Sequence, residues 1–101
     1  MSAVGIVVLH STMPGKRDAV CAVWMEHMKG AVSENPGHLD YFYCADRNNP
    51  DAILAFQLYE NIEASQAFLQ SPAYRRYVEA VEPLLLGAPE VVQTDLLWRK
   101  G

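Results

Sequence analysis

The sequence predicts an α+β fold: a ferredoxin-like β-α-β-β-α-β chain whose four-stranded antiparallel sheet carries its helices on one face, with residues 1–101 as a single domain. Three observations carry this expectation. A continuous apolar, β-branched run opens the chain. Near its middle, two further apolar runs are separated by a short polar interval. Two stretches with apolar residues every three or four positions follow the first run and the middle pair.

Taken in order, Gly5-Ile6-Val7-Val8-Leu9-His10 reads as a strand buried on both faces, ended by Pro14-Gly15. Residues 16–33 place Val20, Val23, Trp24, Met28, Ala31 and Val32 at mixed steps of three and four, which predicts one amphipathic helix of about five turns. Asn35-Pro36-Gly37 stops it, because the residue before a proline is pushed out of helical geometry. Residues 39–45 and 52–59 are then expected to pair as a hairpin across Asp46-Arg47-Asn48-Asn49-Pro50-Asp51, a turn-forming composition. Asn61 is placed to cap a short helix ending near Leu69, with Glu63 in its first turn. Ser71-Pro72 starts the next helix and puts Tyr74, Tyr77, Val78, Val81 and Leu85 on one stripe. Gly87-Ala88-Pro89 breaks it, and residues 91–98 form the last strand, with Val92, Leu96 and Trp98 on one side.

The third strand is apolar on both sides: Leu54, Phe56 and Leu58 alternate with Ile53, Ala55 and Tyr59, and only Gln57 is polar. Helices cover one face of such a sheet, so the other is expected to meet the same face of a second copy in a homodimer.

A formal net charge of −4 and a pI near 5.2 argue against nucleic acid, whose phosphates need clustered Lys and Arg. The apolar runs are too short to span a bilayer, and Met1-Ser2-Ala3-Val4 does not open a secretory leader, so no membrane association and a cytoplasmic location are expected. Cys21 and Cys44 read as small buried hydrophobes rather than a disulfide or metal pair. His10, His27 and His38 have no ligand spacing, so no metal is expected.

Asn35-Pro36-Gly37-x-Leu39-x-Tyr41, the hairpin loop that follows, Phe56-Gln57-x-Tyr59, Ala64-x-x-Ala67-Phe68 and Ser71-Pro72-x-Tyr74 together resemble the antibiotic biosynthesis monooxygenase domain. The resemblance covers nearly the whole chain. It implies a dimeric α+β barrel and oxidation of quinol or anthrone-type aromatics by dioxygen without metal or flavin, in a pocket between sheet and helices. The same scaffold also hosts isomerases, cyclases and haem-degrading enzymes. This chain departs from the family pattern at Gln57, where many members carry Glu, at Tyr59, where many carry Trp, and at Phe68 and Ala73, where many carry His. Val8, Phe68 and Val78 stand where the haem-degrading relatives have Asn, Trp and an axial His, which sets that activity aside.

Within this frame His10 is the candidate base toward a phenolic substrate, since an imidazole titrates near neutrality. Tyr59 or Tyr41 is the candidate hydrogen-bond partner of a quinol oxygen, with Gln57 orienting the ring. Trp24, Met28 and Phe68 are the candidate stacking walls, and Tyr74 joins them as a binding residue. His27 is read as structural or superficial and His38, after the Pro-Gly turn, as exposed. The rival readings are an isomerase or cyclase on the same scaffold and a non-catalytic module for a small aromatic.

Overall fold

A computed structural model describes residues 2–101, so Met1 of the N-terminal reading lies outside the described residues. The elements are β1 (Val4–Ser11), α1 (Arg17–His27), α2 (Lys29–Ser33), β2 (His38–Ala45), β3 (Ala52–Tyr59), α3 (Ile62–Leu69), α4 (Pro72–Val81) and β4 (Glu90–Asp95), with a 3₁₀ turn at Glu82–Leu84. All strand pairs are antiparallel, in the order β2-β3-β1-β4. The expected β-α-β-β-α-β order and one-sided helix layer are both present.

The start signals act as the sequence implies. Asn61 Oδ1 accepts from the Ala64 N–H at 2.8 Å, and Ser71 Oγ accepts from the Tyr74 N–H at 3.3 Å with Pro72 in the first turn. Arg17 ties α1 to the hairpin loop by donating to the carbonyls of Asp46 and Asn49 at 3.0 and 2.9 Å.

The long helix expected over residues 16–33 is two helices. Met28 interrupts it at φ −107°, and Gly30, poorer than alanine in a helix by ~1 kcal/mol, is the second residue of the short second piece. β2 carries a bulge: the register with β3 slips between His38 and Asp40. Strand alternation changes phase there, so His38 joins Tyr41 on the helix side of the sheet.

The core lies between that side of the sheet and the helices, built on Val4, Val20, Trp24, Met28, Ile53, Tyr59, Phe68, Tyr77 and Val81. The other side is bare. Phe42, Phe56, Val7 and Val92 face one another across all four strands, and Phe42, Phe56 and Val92 are 59, 41 and 57% exposed. β1 is therefore half-buried over most of its length rather than enclosed on both sides, and Cys44 is exposed. Past β4, the Leu96 N–H bonds the Ala3 carbonyl, and Arg99 pairs with Asp40 on the opposite edge strand, carrying the tail across the sheet. Leu97 and Trp98 project from this tail, 95 and 79% exposed. Strand structure ends at Asp95, short of the residue 98 expected. No helix is long and apolar enough to cross a membrane among the described residues.

Candidate functional site

A cavity of about 190 Å³ runs along the helix side of β1, lined there by Val4, Ile6, Val8 and His10. These are alternate residues, so the cavity follows the strand for ~20 Å. Ala55, Gln57 and Tyr59 of β3 form its floor beside them, and Met28, Phe68, Tyr74 and Tyr77 its helical walls. Its exposed lining residues, Ile62, Gln66 and Leu69 of α3 and Val91 and Gln93 of β4, mark the mouth, because the edge strand β4 is not covered by helices.

Seven of the eight residues anticipated from sequence line this space: His10, Met28, Tyr41, Gln57, Tyr59, Phe68 and Tyr74. Trp24 does not. It stacks on Tyr43 at 4.4 Å and donates its indole N–H to the Tyr41 oxygen at 3.2 Å, so it buttresses Tyr41 from behind. The seven are not at one point either. Gln57 lies opposite Ile6 in the β1–β3 register, and His10 is four residues farther along, ~13 Å away.

The Gln57 end is densely hydrogen-bonded. The Tyr59 hydroxyl donates to Gln57 Oε1 at 2.8 Å, and His38 Nε2 meets the same oxygen at 3.2 Å. His38 Nδ1 meets the Asn35 amide at 2.9 Å, and its ring packs on Tyr59 at 4.2 Å and edge-on to Phe68 at 4.6 Å. His38 is thus not the exposed turn residue expected, but a half-buried member of this end. The bulge at residue 39 placed it there; strict period-two alternation would have sent it to the opposite face. Burial holds its pKa below 6.5, against a weaker opposing effect of the Gln57 bond.

The phenols around this end are firmly protonated. Burial pushes Tyr41 up to about 12, partly offset by the Trp24 bond, with the nearby Tyr74 hydroxyl adding a smaller upward push. Burial and then the neighbouring Tyr41 and Tyr74 phenols raise Tyr59 further. At neutral pH these groups donate protons in hydrogen bonds and do not act as bases.

The His10 end is different. His10 is buried, and its Nδ1 has no hydrogen-bond partner among the described residues; the same holds for the hydroxyls of Tyr77 and Tyr43. Tyr77 approaches His10 edge-on, with ring centres 6.5 Å apart. Burial lowers the His10 pKa, so the ring is neutral at pH 7 and has a lone pair to offer. The chain behind it is fixed: the N–H groups of Thr12, Met13 and Leu86 bond the carbonyls of Asp51, Leu84 and Ser11, each at 2.8 Å.

Fold and cavity together define a ferredoxin-like α+β domain with an aromatic, tyrosine-rich pocket between sheet and helices. The antibiotic biosynthesis monooxygenase family model matches residues 3–80, and the chain belongs to that family. Among solved structures, a protein of Chloroflexus aurantiacus J-10-fl that carries the same family name is 27% identical, superposes with a TM-score of 0.84, and is matched over 99% of this chain and 98% of its own. Rv0793 of Mycobacterium tuberculosis shares the fold at 20% identity and a TM-score of 0.87, over 99% of this chain and all of its own. A Caulobacter crescentus CB15 protein does so at 18% identity and 0.89, over 96% and 92%. No protein of curated function matches significantly.

Proposed function

We propose that this protein is a cofactor-independent monooxygenase acting on a small electron-rich aromatic of quinol or anthrone type, and that it works as a homodimer. The observation that carries the reading is His10: a buried, neutral imidazole with an unpaired nitrogen, at one end of an apolar cavity lined with aromatic rings. A general base needs a lone pair at working pH and an acidic proton brought to it. A phenol or enol held between Phe68, Tyr74 and Tyr77 supplies that proton.

The atoms balance with dioxygen as the only co-reactant. His10 takes the phenolic or enolic proton, and the ring carbon opposite that oxygen forms a bond to dioxygen. The hydroperoxide then loses water. One oxygen atom stays as a ring carbonyl, the other leaves as water, and the net change is conversion of a phenol with a free opposite position into a quinone. The protein's part is to hold the anion in place and out of bulk water.

Size narrows the class. An apolar cavity of about 150 Å³ accepts a benzene ring, so a cavity of about 190 Å³ favours one or two fused rings over three. The proposed test is dioxygen uptake with 1-naphthol, 1,5-dihydroxynaphthalene and anthrone, with and without protein. Protein-dependent uptake with the two-ring compounds supports the reading. Product formation without oxygen uptake would indicate an isomerase or cyclase instead, and binding without turnover a binding module.

The second copy is proposed for the bare sheet face. Burying each exposed Phe or Val there is worth ~1.5–3 kcal/mol, and the row from Phe42 to Val92 is continuous across the sheet. Sedimentation at low micromolar concentration should give a dimer, and Phe56→Ser should shift it toward monomer. A wild-type monomer under those conditions contradicts this part of the reading.

A further inference from the structure

The hydrogen bonds at the Gln57 end run in one direction, and a backbone group sets it. The Gly37 N–H can only donate, and it donates to Asn35 Oδ1 at 3.2 Å. Asn35 therefore turns its Nδ2 amino group to His38 Nδ1, 2.9 Å away, and that ring nitrogen is the acceptor. In the neutral ring the proton is then on His38 Nε2, which donates to Gln57 Oε1 at 3.2 Å. The Tyr59 hydroxyl donates to the same oxygen at 2.8 Å. A flipped Gln57 amide would set its amino group against the His38 Nε2–H donor and lose that bond, so His38 holds the oxygen where it is.

That leaves the Gln57 Nε2 amino group, since both side-chain bonds of Gln57 among the described residues are to its oxygen, on a side chain that lines the cavity. Directly across the β2–β3 pair stands Tyr41, with Cβ atoms of such facing pairs ~5 Å apart. The Tyr41 oxygen already accepts from Trp24 Nε1–H at 3.2 Å, so its own proton is the part left to give. Two adjacent groups thus present donors to the cavity, and no Lys, Arg, Asp or Glu lines it.

We infer that Gln57 Nε2–H₂ and Tyr41 O–H form a paired donor site for one oxygen of the ligand, a carbonyl or phenolate oxygen, and that the Gly37–Asn35–His38 chain is there to fix the direction of the Gln57 amide. The inference rests on the reading of the cavity as a ring-ligand site and specifies what that ligand must carry. His38 is a positioning residue: both its nitrogens are engaged, and it acts through Gln57. The ~13 Å between Gln57 and His10 along the strands adds a second requirement. One oxygen cannot reach both, so the ligand meets the donor pair with one atom and His10 with another. A fused ring pair with one oxygen function at each end, each at a hydrogen-bond length of about 2.8 Å, fits that separation and leaves free the carbon opposite the oxygen that meets His10.

Two probes of equal shape separate the possibilities: 1-indanone, whose only polar group is an acceptor oxygen, and indane, which has none. Calorimetric titration of the wild-type protein should give indanone roughly tenfold tighter, the net worth of one or two neutral hydrogen bonds. Gln57→Leu should cut that preference to about threefold, the Tyr41 donor remaining, without weakening indane binding. His38→Phe, which keeps the ring packing on Tyr59 and Phe68, should cut the preference about threefold; a merely structural role would weaken both probes equally. The ¹⁵N spectrum of His38 should show the proton on Nε2. Equal binding of both probes by the wild type, an undiminished preference in Gln57→Leu, or a proton on Nδ1 overturns the inference while the ring-ligand reading stands. If neither probe binds, that underlying reading fails and the ligand role of both donors goes with it.

Discussion

The two ends of the cavity are built on opposite plans. At the Gln57 end the direction of the amide is held: Gly37, Asn35, His38 and Tyr59 form one chain of bonds that ends on the Gln57 oxygen. At the other end, His10 Nδ1 and the Tyr77 hydroxyl are buried without a partner among the described residues. An unpaired buried polar group costs about 1–3 kcal/mol, so a fold that keeps two of them beside a cavity gives up stability at that place. Under the proposed function, the fixed end recognises the ligand and the unpaired end reacts with it. Binding and turnover should therefore be separable by mutation.

The largest effect is expected at the unpaired end. His10→Phe fills the same space without a lone pair and should lower the rate of dioxygen uptake by about 10²–10⁴, the usual contribution of a general base. An unchanged rate in a steady-state assay would remove His10 from the chemistry. Next comes Tyr59→Phe at the fixed end. It leaves Gln57 Oε1 with only the His38 bond and should weaken ligand binding three- to tenfold. Little change in kcat is expected, and kcat falling more than KM rises would argue against the division of roles.

Both ends contribute to a pH dependence of stability. Burial lowers the pKa of His10 and of His38 below the value of about 6.5 that each takes in the unfolded chain. Above pH 6.5 both states hold neutral rings and these groups add no slope. As pH falls below 6.5 the unfolded chain takes up protons first, so stability declines until the folded pKa values are passed. Urea midpoints at pH 7.5 and 5.5 should differ, and His10→Phe with His38→Phe should reduce the difference. The smallest effect belongs to neither end: Asn61→Ala removes the cap bond to Ala64 and should cost about 1 kcal/mol of stability, read from the same urea curves.

The fold was legible because its signals are local. Apolar periodicity, Asn61, Ser71-Pro72 and the polar hairpin loop each act within a few residues, and each lies where the sequence placed it. Strand geometry explains in the same way why His10 of β1 and Gln57 and Tyr59 of β3, each named from the sequence, share one face of the sheet. What failed were the breaks in period. The bulge after His38 shifts alternation by one residue, and nothing in His38-Leu39-Asp40 announces it, so a residue central to the fixed end was read as exposed. Met28 interrupts a continuous helical pattern without a proline. Trp24 sits on the inward stripe, as its spacing implies, but the tyrosines of β2 come between it and the cavity. Such layering depends on side-chain size in three dimensions and has no counterpart in a one-dimensional pattern.

The division between a holding end and a reacting end is tested most directly by measuring ligand affinity and dioxygen uptake on the same variant. With 1,5-dihydroxynaphthalene, His10→Phe should keep the anaerobic Kd within about threefold of wild type, one lost hydrogen bond at most, while uptake falls at least a hundredfold. Uptake retained at the wild-type rate, or affinity and rate falling together by similar factors, would contradict it.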